Sequence, residues 1–296
     1  MNYLRVGDLG ETGLRNALDL SIQAKQDPAR FGSALAGSEV GLFYMKPSTR
    51  TRVSTEVAVS QLGGRPMTLR NEEVGLGKRE SPADVARTLD RYLDILALRV
   101  FEHEHLDIIG AHATAPVINL LSDLEHPCQA LADVQTMSEA RPLPGSVLTF
   151  IGDGNNVCHS LMVAAAMLGV EVRVAAPEGY EPHAEYVELA SQYSSVTVTP
   201  DVRAAVEGSD FVYTDVWASM GQEDEAAARR KLFEDYRVDE DLFGRAKDDA
   251  IFLHCLPAHR GEEVTDGVAD HPRSRIFDQA ENRMHSFKGV LLHLTQ

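Results

Sequence analysis

The sequence lacks any long apolar stretch. No apolar run approaches the roughly 18 residues that a membrane-spanning helix needs, so we expect no transmembrane segment. Residues 1–9 carry no apolar core of the kind found in signal peptides. We therefore expect a cytoplasmic protein.

Cysteine is also scarce. The chain has three cysteines, Cys128, Cys158 and Cys255, and no C-x-x-C spacing. An odd, scattered set is typical of a reducing compartment and predicts no disulfide framework.

Basic residues are in deficit. The chain has 28 Lys and Arg against 45 Asp and Glu, a formal net charge of −17. Nucleic acid and anionic membranes would be repelled, so we expect neither as a partner. An anionic substrate would need arginines concentrated at one place. The 296 residues, of which 44% are hydrophobic, are enough for one large or two medium globular domains.

Short apolar runs alternate with amphipathic patterns from residue 40 onward. The predicted strands are 40–45, 66–69, 95–99, 116–120, 147–151, 171–176, 196–199, 210–214 and 250–254. The predicted helices are about 49–62, 82–93, 102–112, 126–140, 157–169, 182–193, 201–207, 225–236 and 275–294. This alternation is typical of parallel sheets covered by helices. Residues 141–145, Arg-Pro-Leu-Pro-Gly, mark a break. We predict an α/β fold with two doubly wound parallel-sheet domains joined by the helix at 126–140.

Polar clusters directly follow six of the predicted strands. They are residues 48–52, Arg99, 122–129, 153–156, 215–222 and 254–260. Ligands of open α/β sheets bind at the carboxyl ends of strands, so we expect these clusters to share one functional edge.

The first cluster, Ser48-Thr49-Arg50-Thr51-Arg52, opens a predicted helix. Unpaired N–H groups and the helix dipole favour an anion there. Hydroxyl and guanidinium donors suit phosphate oxygens. The alternative is a capping serine followed by two solvated arginines, which this stretch alone leaves open.

Two further clusters suit a small polar ligand. His126 and Gln129 share one helical face and would bind a carbonyl oxygen and an amino group, or else serve as a cap and a buried histidine. The stretch 152–157, Gly-Asp-Gly-Asn-Asn-Val, only half-matches a dinucleotide fingerprint, because Val157 replaces the third glycine. We expect its glycines to form a tight turn that presents Asn156.

The cluster after residue 214 is suited to an ammonium group. It places Asp215 and Ser219 beside the only tryptophan, Trp217. The alternative is an ordinary mobile acidic loop.

The last cluster is His254-Cys255-Leu256-Pro257. Proline should keep Leu256 extended and its carbonyl in a defined direction. Cys255 would be a nucleophile, a metal ligand with His254, or a polar wall for an amine. Adjacent His and Cys form poor zinc geometry, and no second ligand pair appears at zinc spacing.

Together these motifs resemble the ornithine carbamoyltransferase family, which also holds the aspartate carbamoyltransferases. The resemblance extends from about residue 40 to 288 and rests on residues 48–52, 126–129, 152–156, 215–221, 254–257 and 281–283. The Ser-Met-Gly and His-Cys-Leu-Pro motifs are characteristic of the ornithine branch.

The resemblance implies transfer of the carbamoyl group of carbamoyl phosphate to the side-chain amine of L-ornithine, giving citrulline and phosphate, a step of arginine metabolism. It implies phosphate binding by Ser48, Thr49, Arg50 and Thr51. It implies that Arg99, His126 and Thr51 donate to the carbonyl oxygen. It implies that Gln129 and the Leu256 carbonyl bind the carbamoyl amino group, and that Arg283 closes the site.

For ornithine, the resemblance implies a second set of contacts. Asn156 and the Met220 backbone would bind the carboxylate, and Asp215 and Ser219 the α-ammonium. Cys255 would lie beside the attacking amine without a covalent intermediate. The reacting amine must be neutral, so activity should rise with pH. No metal or organic cofactor is expected.

The resemblance also implies the organisation of the chain. Residues 1–140, with the C-terminal helix 275–296 packed back on them, would bind carbamoyl phosphate, and 141–274 would bind ornithine. The two domains would close over the substrates. The family forms a homotrimer, or a multiple of trimers, in which a loop, here about 70–78, reaches a neighbouring site. Gly75 departs from the Gln or His common there, as do Met45 and Thr55 from common residues at their positions.

The same residues argue against three other functions. A carbamoyltransferase for putrescine, lysine or an acylated ornithine is disfavoured by the presence of Asp215, Ser219 and Asn156. A non-catalytic regulatory paralogue would be expected to lose Arg50, His126 or Cys255, and the chain has all three. A nucleotide-binding oxidoreductase is disfavoured by the incomplete glycine fingerprint.

Overall fold

A computed structural model describes residues 1–218 and 226–296, in which strands and helices alternate. The strands are β1 (Glu39–Tyr44), β2 (Arg65–Arg70), β3 (Ile95–Arg99), β4 (Val117–Leu121), β5 (Val147–Ile151), β6 (Glu171–Ala175), β7 (Val196–Thr199), β8 (Phe211–Thr214) and β9 (Ile251–His254). The helices of eight or more residues are α1 (Gly10–Gln26), α2 (Thr49–Gln61), α4 (Pro82–Leu89), α5 (His103–His112), α6 (Pro127–Ala140), α7 (Asn156–Met167), α8 (Ala184–Ser191) and α13 (Ile276–Leu294). The shorter ones are α3 (Asn71–Val74), α9 (Val202–Val206), α10 (Ala226–Leu232), α11 (Glu240–Phe243) and α12 (Asp266–Ala269), and 3-10 turns span Val6–Leu9 and Glu234–Tyr236.

The first compact unit comprises Met1–Gln135 and Glu281–Gln296. Its sheet has the order β2-β1-β3-β4 with every pair parallel. The strand order reverses between β1 and β3, and this is the switch point where doubly wound sheets bind ligands. The first cluster follows β1 and Arg99 ends β3, so both lie at this point.

The second compact unit is Thr136–Ala280. Its parallel sheet has the order β7-β6-β5-β8-β9, and the order reverses between β5 and β8. The clusters after β5, β8 and β9 therefore lie on three neighbouring strands. The expectation that all six clusters share the edge of one sheet is therefore wrong. Three clusters follow strands of the first sheet, and three follow strands of the second.

The predicted fold class is confirmed. Helix α6 contains the division between the units, and so does α13. The C-terminal part of α13 packs on the first unit: the Ser286 hydroxyl donates to the Cys128 carbonyl at 3.3 Å. Gly289 lies so close to α1 that a Cβ there would stand 2.3 Å from the Ala17 carbonyl oxygen.

The predicted strands and helices are present, with ends moved by a few residues. Helix α4 begins as its sequence indicates, because the Ser81 hydroxyl accepts from the Asp84 N–H and Pro82 occupies the first turn. The prediction contained no helix before residue 49, although α1 forms there. Its buried face, Leu14, Ala17, Ser21 and Ala24, follows the helical period.

The segment expected to reach a neighbouring subunit is anchored in its own unit. Leu76 is buried in the first unit's core. It is flanked by two glycines with positive φ, Gly75 at 68° and Gly77 at 73°. Across the described residues, no helix has the length and apolarity to cross a membrane.

Candidate active site

In the first unit, Ser48 caps α2. Its backbone is extended, and its hydroxyl accepts the Thr51 N–H at 3.3 Å. Among the described residues, nothing accepts a hydrogen bond from the backbone N–H of Thr49 or Arg50, and the half-buried Arg50 side chain makes no ion pair. The helix start therefore offers N–H groups and a guanidinium to an anion.

Thr51 lies at the centre of this cluster. Its hydroxyl oxygen accepts from Arg283 at 2.8 Å, from Ser48 at 2.9 Å and, more weakly, from Arg99 at 3.5 Å. Thr51, Arg99 and Arg283 are all buried. Two buried guanidinium groups in a chain of net charge −17 create a local positive site of the kind an anion needs.

His126 and Gln129 lie beside the same arginines. Gln129 accepts from Arg283 through its carbonyl oxygen and donates to Asp133 at 2.7 Å, which fixes the orientation of its amide. Burial, reinforced by Arg283 and Arg99, lowers the pKa of His126 well below its ordinary value. The imidazole is therefore neutral near pH 7 and can donate one N–H without adding positive charge.

In the second unit, Asp215 lies just beyond β8 and is almost fully buried. One of its oxygens accepts from the Cys255 thiol at 2.9 Å, and the other accepts from the Asn155 amide at 2.9 Å. Asp215 and Cys255 were expected in one site from the sequence, whereas Asn155 had no expected role. Its position before a helix was the available signal, since asparagine is a preferred cap.

Asn156, expected to face the ligand, is the half-buried first residue of α7. Ser219 and Met220 lie outside the described residues. Of the two glycines, Gly152 has a positive φ of 128°, and Gly154 lies so close to the segment at 181–182 that a Cβ there would stand 2.1 Å from the Pro182 nitrogen.

The backbone at Leu256 differs from the prediction. It has φ 60°, a left-handed conformation, rather than the extended one expected before proline. The reason is local: the Leu256 N–H donates to His254 Nδ1 at 2.9 Å, and His254 Nε2 lies 3.2 Å from the buried Glu263 carboxylate.

Arg229 is a second residue that the sequence analysis missed. It is buried and donates to Asp153 at 2.8 Å and to the Trp217 carbonyl at 3.0 Å. Its guanidinium also lies over the Tyr180 ring, 4.8 Å from the centroid. It therefore ties α10 to the turns after β5 and β8.

Two groups of metal-ligand atoms come within 4.8 Å of one another in the part of the chain described. They are Asp215, His254 and Cys255, and His259, Glu262 and Glu263. Both ring nitrogens of His254 are already engaged, by Leu256 and Glu263. That leaves two ligands in the first group, fewer than a structural zinc site uses.

Comparison with known proteins adds the family. Residues 1–139 match the model described as "Aspartate/ornithine carbamoyltransferase, carbamoyl-P binding domain". Residues 144–294 match "Aspartate/ornithine carbamoyltransferase, Asp/Orn binding domain". The chain belongs to the aspartate/ornithine carbamoyltransferase family.

Several proteins of this carbamoyltransferase family are closely similar. The ornithine carbamoyltransferase of Parasynechococcus marenigrum is 49% identical over 99% of this chain and 93% of its own length. That of Synechocystis is 51% identical over 86% of this chain and 84% of its own. The solved ornithine carbamoyltransferase of Pyrococcus furiosus has a TM-score of 0.94 at 46% identity, covering 98% of this chain and 95% of that one.

Proposed function

We propose that this protein transfers the carbamoyl group of carbamoyl phosphate to the side-chain amine of L-ornithine, giving L-citrulline and phosphate. The observation that carries the proposal is that a chain matching the family over both domains has one cluster suited to an anion and a second cluster suited to a cation. The first unit gathers arginines and a helix start suited to an anion, and the second holds a buried carboxylate beside a thiol, suited to an amine.

Carbamoyl phosphate is assigned to the first unit. The phosphate binds the N-terminus of α2 through Ser48, Thr49, Arg50 and Thr51. The exposed N–H groups of that helix start support this assignment, because they add to the helix dipole. Gln129 binds the carbamoyl amino group, for which its amide is already oriented by Arg283 and Asp133. The Leu256 carbonyl is the second acceptor for that amino group.

The reaction begins when the neutral side-chain amine attacks the carbonyl carbon. The carbonyl oxygen gains negative charge, and Thr51, Arg99 and His126 donate to it. Each preorganised donor of this kind is worth about 3–4 kcal/mol in a dry site. The carbon–oxygen bond to phosphate then breaks, phosphate leaves with the bonding electrons, and the proton lost by the amine passes to the departing phosphate. The neutral state of His126 limits it to one N–H, so the positive charge comes from the arginines.

Ornithine is assigned to the second unit. Asp215 and Ser219 bind the α-ammonium, and Asn156 and the Met220 backbone bind the carboxylate. Cys255 lies beside the attacking amine as a polar neighbour. The 2.9 Å contact between the thiol and the Asp215 carboxylate supports that placement. The thiol is not required as a nucleophile, because the substrate amine is one.

The assembly and location follow the family expectation. We propose a homotrimer, or a multiple of trimers, in the cytoplasm. Because Leu76 is buried in its own unit, only the neighbouring residues of the 70–78 segment are available to a partner.

A panel of amines tests the function. Purified protein is given carbamoyl phosphate with ornithine, N-acetylornithine, putrescine, lysine or aspartate, and the carbamoylated product is quantified by mass spectrometry. Citrulline should form at least tenfold faster than any other product. A different amine that is preferred by tenfold would replace ornithine in the assignment, and no product from any amine would refute carbamoyl transfer.

A further inference from the structure

Asn155 has an unusual set of hydrogen bonds for a helix cap. Its side-chain oxygen accepts two backbone N–H groups, from Val157 at 2.9 Å and Cys158 at 3.1 Å. Its amide nitrogen donates to Asp215 at 2.9 Å. The side chain therefore connects the start of α7 directly to the carboxylate of the ornithine site.

The orientation of this amide is determined by its surroundings. If the amide were flipped, its NH₂ group would face two N–H donors and both capping bonds would be lost. The oxygen must therefore face the helix, and the N–H must face Asp215. Because the Cys255 thiol donates to the other oxygen, the carboxylate is held at both ends.

We propose that Asn155 is a positioning residue that fixes the Asp215 carboxylate for ornithine and for the Cys255 thiol. The inference rests on the proposed function and extends it to a residue that the motif comparison left without a role. Removing the amide donor would leave one carboxylate oxygen free to turn away from the substrate. It would also leave the carboxylate a stronger acceptor for the thiol proton.

Other titratable groups lie close to this carboxylate or to Cys158, on which it acts. They are His254, the last residue of β9, Cys255 directly after it, Cys158 on α7, and Asp153, which is paired with Arg229. Burial raises the pKa of Cys158 well above its ordinary value, and the charges of Asp153 and Asp215 add to that shift. A negative charge placed at position 155 would therefore join two carboxylates that already act on Cys158.

Two substitutions separate positioning from helix capping. Serine and aspartate cap helices about as well as asparagine, so Asn155→Ser and Asn155→Asp should both preserve α7. Asn155→Ser replaces the amide that donates to Asp215 with a shorter side chain whose hydroxyl can still cap α7. Asn155→Asp replaces the donor with a second negative charge. Asp201→Asn is the matched control, since Asp201 caps α9 through the Ala204 N–H and has no contact with the site.

Kinetics form the first measurement. In Asn155→Ser, the KM for ornithine should rise about tenfold or more, as expected when a hydrogen bond to a charged group is lost. The KM for carbamoyl phosphate should change less than twofold. Binding of L-norvaline, which keeps the α-amino and carboxyl groups of ornithine, should weaken to a similar degree. In Asn155→Asp, the acid limb of the pH–rate profile should also move to higher pH, because the extra carboxylate favours the protonated amine.

Alkylation of Cys255 by iodoacetamide is the second measurement and needs no activity. Cys128 and Cys158 are buried, so mass spectrometry follows Cys255 alone. The thiolate is the reactive form, so alkylation at pH 8 should slow in both variants, more so in Asn155→Asp. If the parent protein makes no citrulline, the proposed function fails while this test of positioning stands.

The proposal requires a raised ornithine KM together with slowed alkylation. Either measurement unchanged in both folded variants overturns it. An equal effect from Asp201→Asn also overturns it, because exchange of a capping side chain remote from the site would then produce the same result. Circular dichroism melting verifies that the variants are folded.

Discussion

Substitution of Gly154 by alanine should selectively damage the ornithine half of the site. A Cβ at this position would stand 2.1 Å from the Pro182 nitrogen and 2.4 Å from the Glu181 carbonyl carbon. Both atoms belong to the backbone, so no side chain can rotate away. To reach the 3.0 Å limit of real Cβ contacts, the two segments must separate by about 0.9 Å.

The displaced segment is the one that carries Asn155 and its bond to Asp215. A misplacement near 1 Å costs about 10²-fold in rate, so kcat/KM for ornithine should fall by about that factor. Overpacking should lower the free energy of unfolding by about 1–3 kcal/mol. The carbamoyl phosphate cluster lies in the other compact unit, so its KM should change less than threefold.

Steady-state kinetics with each substrate varied in turn, together with thermal melting, measures these effects. Gly145→Ala is the matched control: Gly145 has φ 79°, but a Cβ there meets nothing within 4 Å. The control should lose some stability from backbone strain and keep its ornithine KM. An ornithine kcat/KM within threefold of the parent in folded Gly154→Ala would refute the reasoning, as would an equal loss in Gly145→Ala.

Three further predictions concern the first unit. Thr51→Val removes the hydroxyl that accepts from Arg283 and Arg99, so the KM for carbamoyl phosphate should rise about tenfold or more. In the control Thr51→Ser, which keeps a hydroxyl, this KM should stay within threefold of the parent value. Equal KM values in the two variants would contradict the assignment of Thr51 to the phosphate site. Arg283→Gln should likewise raise the carbamoyl phosphate KM at least tenfold with little change in that for ornithine, and the reverse pattern would contradict its assignment. The pKa of His126 is lowered by folding, so the unfolded chain takes up its proton first as pH falls below about 6.5, and the free energy of unfolding should decline by up to about 1.4 kcal/mol per pH unit for this residue. Urea unfolding measured between pH 5.5 and 7.5 gives the free energy of unfolding at each pH. This free energy should change less with pH in His126→Asn than in the exposed control His112→Gln. An identical pH dependence in the two variants would refute the conclusion that the His126 imidazole is neutral in the folded protein.

The sequence was sufficient for the strand and helix pattern because the periodicity is strong where burial is complete. The run Val40–Phe43 in β1 and the almost wholly buried α7 are examples. Helix α1 was not predicted because its apolar stripe is narrow and interrupted by charged residues. Its buried face becomes clear only from its packing against α13. Propensity alone does not report such tertiary stabilisation.

The candidate site was predictable in its residue types and less so in its connections. Ser48, Thr51, Asp215 and Cys255 stand out as polar residues after strands, and the strand-end rule brings them to sheet edges. Nothing in a linear motif reveals that Arg283, 232 positions from Thr51, donates to its hydroxyl. The left-handed Leu256 was also beyond the local rule, because a side-chain acceptor on His254 overrides the usual preference before proline.

The two units place groups of opposite charge at equivalent positions of their folds, and the residue that caps the helix there differs between them. In each, a helix begins after a strand at the switch point of a parallel sheet. In α2, Ser48 uses one N–H and leaves those of Thr49 and Arg50 for an anion. In α7, Asn155 accepts two N–H groups through its oxygen and turns its own N–H to a carboxylate.

An asparagine cap thus converts a helix start that would bind an anionic ligand into a support for an internal anion, Asp215, which can then receive a cation. A serine at position 155 would retain the helix and lose that conversion. We therefore expect the charge preference of each cluster to depend on one capping side chain as well as on the residues proposed to bind substrate.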